Sequence, residues 1–256
     1  VIIIRIGSCS CGVRFSGLNI TKKRFEMRAL LFPGQGAQFI GMGKDLADSS
    51  REAMDVFCAV DEALGEKLSN LIWEGNIEEL TLTKNTQPAL MATSMAVLAA
   101  LNANGFEIKT VSYVLGHSLG EYSALSSAGY LNFSDTIKVL RARGDAMQNS
   151  VPKGEGGMVA VLGSTVDMIE NILIENKENL KAQIANDNSE GQIVLSGKTE
   201  DLEKLIQILK DNSIKNIKLP VSAPFHCDLM NNATKIMTEE LNKLNFKNGQ
   251  NKLISN

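Results

Sequence analysis

The pentapeptide Gly116-His117-Ser118-Leu119-Gly120 constrains this chain more than any other feature of its sequence. It follows an apolar run, 111–115, that predicts a β-strand, and it precedes a segment, Glu121 to Ala128, that predicts an α-helix. A strand, a Gly-x-Ser-x-Gly turn and a helix form a nucleophile elbow, in which the glycines permit a turn tight enough to hold the serine hydroxyl clear of the backbone. The alternative is an ordinary loop turn. The sequence context favours the elbow, and therefore an α/β protein with Ser118 as its nucleophile.

Composition narrows the class of protein. The chain has 256 residues, 44% of them hydrophobic and 21% charged, which is typical of a globular protein with a sizeable core. Its formal net charge is -3, so nothing global indicates nucleic acid binding. No apolar run approaches the roughly 18 residues of a membrane span. We therefore expect neither a nucleic acid partner nor a membrane.

The four cysteines, Cys9, Cys11, Cys58 and Cys227, fit no disulfide framework and no metal-site spacing. Cys9 and Cys11 could bind a metal, but no histidine lies nearby in sequence to complete the site. We expect reduced thiols, a cytoplasmic protein and no metal.

Residues 1–26 differ from the rest of the chain. They are basic and poor in acids, and they show no sustained periodicity. Such a lead could be an organelle transit peptide, or a stretch that precedes the true start at Met27. We favour the second interpretation and treat 1–26 as an extension outside the fold, so an organelle location follows only if it is a transit peptide.

A large domain is predicted over 27–152 and 220–256. Arg28 to Phe32 is predicted to be a buried strand that ends in the loop Pro33-Gly34-Gln35-Gly36-Ala37-Gln38. Two helices are predicted between Phe39 and Leu64. Pro88 is predicted to begin a long apolar helix that ends near Asn104, because a proline costs least in the first turn.

A small domain is predicted over 153–219. Its apolar periods alternate as βαββαβ, which is the order of a split, ferredoxin-like module. The predicted elements are strands at 157–162, 181–185, 192–196 and 214–219, and helices at 165–175 and 200–211. A helix from about Leu229 to Leu244 follows, and residues 252–255 resemble the start of a strand. We therefore expect the C-terminal part of the large domain to be missing from this sequence.

The chain has only two histidines, which shortens the search for a general base. His117 adjoins the candidate nucleophile, but consecutive residues on a tight elbow point apart. His226 lies in an extended, proline-bracketed segment far along the chain, and serine–histidine pairs are usually assembled from such distant residues. We therefore predict His226 as the base, with a loop histidine of no catalytic role as the alternative.

An acyl-transfer site also needs amide donors for an oxyanion, each worth about 3 to 4 kcal/mol in the transition state. The amide of Leu119, at the start of the predicted helix, is well placed. A second donor should come from a loop at the end of another strand, and Gln35 fits this position. Its alternative role is a simple strand-to-helix connection.

Four motifs occur together and in order: Phe32 to Gln38, Gly116 to Tyr122, Arg143 to Gln148 and Ala223 to His226. With them, the chain from Met27 onward closely resembles the malonyl-CoA:acyl carrier protein transacylase family of fatty acid synthesis. The resemblance implies an α/β-hydrolase-like large domain with an inserted ferredoxin-like (βαββαβ) small domain. It also implies ping-pong transfer of malonyl from coenzyme A to the phosphopantetheine thiol of acyl carrier protein. No cofactor is implied, because malonyl-CoA and the carrier protein are substrates.

The resemblance also implies roles for residues. Ser118 resembles the nucleophile and His226 its base, with Gln35 and Leu119 as oxyanion donors. Arg143 resembles the arginine that binds the malonyl carboxylate, since a guanidinium can form two charge-assisted hydrogen bonds to it. Phe225 resembles the form that favours malonyl over methylmalonyl, because a large ring occupies the space of a branch. The remaining substrate-binding positions implied are Gln87, His117, Met147, Asn186 and Asn188.

Alternatives remain open from the sequence. A serine hydrolase or thioesterase of the α/β-hydrolase type can share the elbow, and a truncated chain could be an inactive acyltransferase fragment or a carrier-binding module. The enzyme could also be part of a polyketide synthase. We expect a monomer. A basic docking surface for the acidic carrier protein is expected on the small domain, with candidates Lys198, Lys204, Lys210, Lys215 and Lys218.

Overall fold

A computed structural model gives the structure of the chain and describes residues 1–9, 25–152, 154–221 and 223–255. The strands are β1 (Ile2–Cys9), β2 (Phe25–Phe32), β3 (Tyr113–Gly116), β4 (Gly156–Leu162), β5 (Ala182–Ser189), β6 (Gln192–Lys198), β7 (Lys215–Lys218) and β8 (Lys252–Ile254). The helices are α1 (Lys44–Ser49), α2 (Arg51–Leu64), α3 (Leu68–Glu74), α4 (Ile77–Thr81), α5 (Thr83–Ala103), α6 (Gly120–Ser127), α7 (Phe133–Gln148), α8 (Val166–Glu175), α9 (Thr199–Asp211) and α10 (Asn231–Asn242). The predictions for Cys11 and for the basic residues between 10 and 24 lie outside the described residues.

The mixed α/β class predicted from the sequence is confirmed. The chain forms two compact units: unit 1 consists of Val1–Leu80, Gln87–Leu140 and Leu244–Asn256, and unit 2 of Thr81–Thr86 and Arg141–Lys243. Helices α5 and α7 each contribute residues to both units. No helix in the described part of the chain is both long enough and apolar enough to cross a bilayer.

Unit 1 contains a four-stranded sheet in the order β1-β2-β3-β8. Strands β2, β3 and β8 are parallel, and β1 pairs antiparallel with β2 at the edge. The sequence pattern predicts no element at β1, whereas the start of a strand predicted at 252–255 is confirmed as β8. Parallel strands present their carboxyl ends at one edge, so the loops after β2 and β3 emerge side by side.

Buried apolar residues support this sheet and the helices of unit 1. Val114 and Leu30 belong to a cluster with Ala124 of α6, which holds that helix against the sheet. A larger cluster joins α2, α3 and α5 through residues such as Phe57, Ile72 and Met91. Helix α6 is therefore fixed directly behind the turn that follows β3.

Unit 2 contains an antiparallel sheet in the order β5-β6-β4-β7. The element order β4-α8-β5-β6-α9-β7 confirms the predicted βαββαβ pattern. Successive residues of a strand point to opposite faces, and the central strand β4 is buried on both. Val159 and Val161 of β4 pack in the cluster that contains residues of α8 and α9, while Met158 and Ala160 pack in a second cluster.

Helix α5 begins at Thr83, so the prediction that Pro88 begins this helix is wrong. The amides of Asn85 and Thr86 both donate to the carbonyl of Leu82, at 2.8 and 2.9 Å, and this turn precedes the proline. A proline inside a helix removes one amide donor and crowds the carbonyl four residues earlier. The first turn persists because its contacts with α7 outweigh the local preference.

Candidate active site

Ser118 lies in a tight turn between β3 and α6, as the sequence predicts. Its φ is 52°, in the left-handed region that side chains other than glycine rarely adopt. The turn is closed by glycines, since a Cβ on Gly116 would lie 2.0 Å from the carbonyl carbon of Gly120. Strain of this kind persists only where the surrounding structure imposes it, and it concentrates at functional sites.

The loop that follows β2 lies against this turn. Strands β2 and β3 are paired with Phe32 opposite Gly116, and the amide of His117 donates to the Phe32 carbonyl at 3.1 Å. A Cβ on Gly34 would lie 2.5 Å from Nδ1 of His117, so the loop backbone is in contact with the elbow. The loop that contains Gln35 is therefore packed against the turn of Ser118.

Leu119 is the N-cap residue of α6 and is 1% exposed. Helix N-termini present amide donors and a partial positive charge, which suits a developing oxyanion. His117 is exposed, and its ring lies beside Gly34. Gln87 is 1% exposed within α5. Unit 1 thus contains Gln35, Gln87, His117, Ser118 and Leu119.

His226 lies in unit 2, in the loop before the 3-10 helix Asp228–Met230. Its φ is 57°, so it is a second non-glycine residue in the left-handed region, and it is exposed. The side chain of Gln183 on β5 holds the loop through two hydrogen bonds: Nε2 donates to Oδ2 of Asp228, and Oε1 accepts from the Asp228 amide, each at 2.7 Å. Cys227 Sγ donates to the Pro224 carbonyl at 3.2 Å.

The other candidate residues of unit 2 lie in an apolar cluster against β4 and on strand β5. Met147 of α7 and Phe225 are buried in the same apolar cluster as Met158 and Ala160 of β4. Asn186 and Asn188 lie on β5, which runs past the predicted end at 185 to Ser189. The pattern missed this extension because polar residues at a partly exposed strand give no apolar alternation.

Arg143 lies on α7 and is half-buried. The next residue, Gly144, packs against the first turn of α5, where a Cβ would lie 2.5 Å from the Lys84 Cα. Unit 2 thus contains Arg143, Met147, Asn186, Asn188, Phe225 and His226, of which Met147 and Phe225 share one apolar cluster. Within the described ranges, no three His, Cys, Asp or Glu side chains come together where they could hold a metal ion.

No sequence pattern identifies the contacts of Gln183 and Asp228. Their positions are separated by 45 residues, and no spacing rule joins them. The one local signal for such a contact is the extended segment before His226, because its backbone amides and carbonyls need hydrogen-bond partners from elsewhere in the chain. Arg141, two positions before Arg143, is recognisable from the sequence as a helix residue but receives no role from it.

A serine elbow, with an amide-bearing loop packed against it on a mixed α/β fold, is the arrangement of an acyl-transfer protein. The family model described as the acyl transferase domain matches residues 29–254. The malonyl CoA-acyl carrier protein transacylase of Bacillus subtilis (strain 168) is 45% identical over 230 residues, which cover 89% of this chain and 72% of that protein.

Solved structures indicate the same family as the sequence comparisons. The acyl-carrier-protein-S-malonyltransferase from Bartonella henselae is 46% identical with a TM-score of 0.85, over 89% of this chain and 74% of that chain. A malonyl-transacylase in complex with its type II PKS acyl-carrier protein is 36% identical with a TM-score of 0.84, over 88% and 73%. The chain therefore belongs to the acyl transferase family, and within it to the malonyl CoA-acyl carrier protein transacylases.

Proposed function

We propose that this chain transfers the malonyl group of malonyl-CoA to the phosphopantetheine thiol of acyl carrier protein, and so supplies fatty acid synthesis. The observation that carries the proposal is the Ser118 elbow, strained to a φ of 52° and packed against the loop of Gln35. Its relatives are named for this transfer, and one related structure contains an acyl-carrier protein. The carrier protein is the proposed partner.

In the first half-reaction, Ser118 Oγ attacks the thioester carbonyl of malonyl-CoA while the imidazole of His226 accepts the hydroxyl proton. The amides of Gln35 and Leu119 donate to the resulting oxyanion, each stabilising it by about 3 kcal/mol. The tetrahedral intermediate then collapses, the C–S bond breaks, and coenzyme A leaves as a thiol after taking the proton from the imidazolium. The product is a malonyl ester of Ser118.

In the second half-reaction, the phosphopantetheine thiol of the carrier protein takes the place of coenzyme A. The imidazole of His226 removes the thiol proton, and the thiolate attacks the ester carbonyl. The C–O bond breaks and the proton returns to Ser118 Oγ, so the enzyme is regenerated. A single base serves both halves because the two thioesters are chemically alike.

Selectivity for malonyl is assigned to Arg143. A planar guanidinium can bind the terminal carboxylate through two parallel, charge-assisted hydrogen bonds, which acetyl cannot accept. Phe225 limits the space beside the malonyl methylene and so disfavours a methyl branch. The proposed lining of the acyl site is completed by Gln87, His117, Met147, Asn186 and Asn188.

The intermediate can be tested by intact-protein mass spectrometry after mixing with malonyl-CoA. We expect the chain to gain the mass of one malonyl group, and Ser118→Ala to gain none. Ser127→Ala is a matched control on the helix that follows Ser118: its hydroxyl donates to the Ala124 carbonyl, and the variant should be acylated like the parent. Release of free malonate without carrier protein would indicate a hydrolase and contradict the proposal.

The role of Arg143 can be tested by comparing two acyl donors. For Arg143→Ala we expect malonyl transfer to fall by about 100-fold, as for the loss of a buried charge-assisted pair, while acetyl transfer is retained or raised. Arg51→Ala is the control, since that side chain is 89% exposed on α2. Equal losses for both acyl groups would remove Arg143 from this role.

The domain arrangement is part of the proposal. The antiparallel sheet of unit 2 with α8 and α9 would be a ferredoxin-like domain at 153–219, inserted into an α/β-hydrolase-like domain formed by 27–152 and 220–256. Limited proteolysis should cut near these borders before it cuts inside β4–β7, and early cleavage within the sheet would contradict the assignment. We also propose a cytoplasmic monomer that needs no cofactor.

A further inference from the structure

Helix α5 contains a proline where its hydrogen-bond ladder needs an amide. In a regular helix the carbonyl of Lys84 accepts from the amide of residue 88, but Pro88 has no N–H to donate. A buried carbonyl without a donor is costly, so a substitute donor at this point has structural value.

The side chain of Arg141 on α7 supplies that donor. Its Nη1 lies 2.9 Å from the Lys84 carbonyl oxygen and 2.6 Å from Oδ1 of Asn85, both in the first turn of α5. Partial burial lowers the pKa of the Arg141 guanidinium, and the nearby Asp145 carboxylate raises it in part. An arginine nevertheless remains charged in proteins, so both hydrogen bonds are charge-assisted.

Two further contacts join the same turn to the same face of α7. A Cβ on Gly144 would lie 2.5 Å from Lys84 Cα, so only glycine allows this approach. The amide of Thr83 donates to Oε1 of Gln148 at 3.2 Å. Positions 141, 144 and 148 recur at helical spacing and form one stripe of α7. This stripe binds the turn Thr83–Thr86 and fixes the rotation of α7 about its own axis.

Arg143 lies about 200° around the helix from Arg141, on the opposite face. Fixing one face of α7 therefore fixes the direction in which the opposite face projects. We infer that Arg141 is a positioning residue: it replaces the amide missing at Pro88, locks the first turn of α5 onto α7, and so sets the orientation of Arg143 toward the malonyl carboxylate. The inference rests on the proposed function for the role of Arg143.

The test is a double-mutant cycle of Arg141→Ala and Pro88→Ala, read as the ratio of malonyl to acetyl transfer. In Arg141→Ala the ratio should fall about tenfold, because a displacement near 1 Å in a binding group costs one to two orders of magnitude. In the double variant, Pro88→Ala restores a backbone amide that can donate to Lys84, so the ratio should return to within about threefold of Pro88→Ala alone. Arg51→Ala is the matched arginine control.

A purely structural role for Arg141 predicts a lower melting temperature with an unchanged malonyl-to-acetyl ratio, and that result would overturn the inference. An equal effect of Arg141→Ala in both backgrounds would also overturn it. If Arg141→Ala does not fold, the inference requires the double variant to regain a cooperative thermal transition. The same cycle can be read from melting temperatures, which do not depend on the acyl group that is transferred. An absence of coupling between positions 88 and 141 in those temperatures would therefore count against the inference and not against the proposed function.

Discussion

Two turns, one in each unit, hold the candidate catalytic residues in the same unusual backbone conformation, but they are held there by different means. Ser118 in unit 1 has a φ of 52°, and His226 in unit 2 has a φ of 57°. Around Ser118 the constraint is close backbone packing, since Cβ atoms on Gly116 and Gly120 would lie 2.0 and 2.4 Å from backbone atoms. In the loop of His226, side-chain hydrogen bonds contribute, since Gln183 bonds both the amide and the carboxylate of Asp228.

The difference matters for how each turn can change. Backbone packing leaves the turn of Ser118 no other conformation. The backbone of Gly120 occupies the space beside Gly116, and the end of β2 at Phe32 occupies the space beside Gly120. A side-chain pair can be weakened one hydrogen bond at a time, and each neutral hydrogen bond contributes only about 1 kcal/mol. Ser118 is therefore fixed rigidly, whereas the position of His226 is adjustable through residues outside its loop.

The largest expected effect is at the elbow. Gly116→Ala would place a Cβ 2.0 Å from the Gly120 carbonyl carbon, which is a backbone atom that cannot move aside alone. We expect a loss of about 3 kcal/mol in the free energy of unfolding, together with loss of acylation of Ser118. Chemical denaturation and mass spectrometry measure the two.

Gly157→Ala on β4 is the control for this change, because its nearest neighbour, Leu202 Cδ1, would lie at an ordinary 3.5 Å. It should cost far less than Gly116→Ala. A Gly116→Ala protein with normal stability and normal acylation would show that the elbow is not held by backbone packing.

The next effect is at the loop of His226. Gln183→Ala removes both hydrogen bonds to Asp228, so we expect the free energy of unfolding to fall by about 2 kcal/mol. Transfer should fall about tenfold in kcat, since the base would be less well placed. Steady-state kinetics on the folded protein measures this loss, and an unchanged kcat would contradict the role of the pair.

Gln207→Ala is the matched control for Gln183→Ala. Its Nε2 also donates to a carboxylate, Oδ1 of Asp211 at 2.7 Å, but on the exposed side of α9. We expect no change in kcat, so a similar loss in both variants would indicate a general effect of removing a surface amide.

The smallest effect compares glycine with alanine at the strained positions. The left-handed conformation costs a residue other than glycine about 1 to 2 kcal/mol. Glycine avoids this cost, but it loses more chain entropy on folding, so only part of the difference remains as added stability. Ser118→Gly should therefore be about 0.5 kcal/mol more stable than Ser118→Ala, and likewise at His226. Thermal melts of the four variants measure the difference.

Ser213, with a φ of 57° at the end of α9, is the reference position for this series because it lies away from the candidate residues. The Ser213→Gly variant should be more stable than Ser213→Ala by a similar amount. If His226 gains nothing from glycine while Ser213 does, the loop has relaxed in the variants, and the pair of Gln183 and Asp228 does not hold it in the left-handed conformation.

Much of the fold was predictable because its signals are local. The strand, turn and helix around Ser118 follow from apolar periodicity and two glycines, and the βαββαβ order of unit 2 follows from alternating apolar periods. The prediction for Pro88 is wrong because local preference places a proline in the first turn. The compensating donor, Arg141, lies 57 residues from Lys84, and no local pattern reveals it.

Residue types and chain neighbours were enough to propose Ser118 as the nucleophile and two histidines as possible bases, and to predict the order of the elements in unit 2. What holds each of these in place emerged only from the folded packing: the backbone against Ser118, the amide clamp on the loop of His226 and the arginine that replaces a proline amide. These contacts join residues far apart in the chain, and their geometry depends on how helices and strands pack, which residue spacing does not encode.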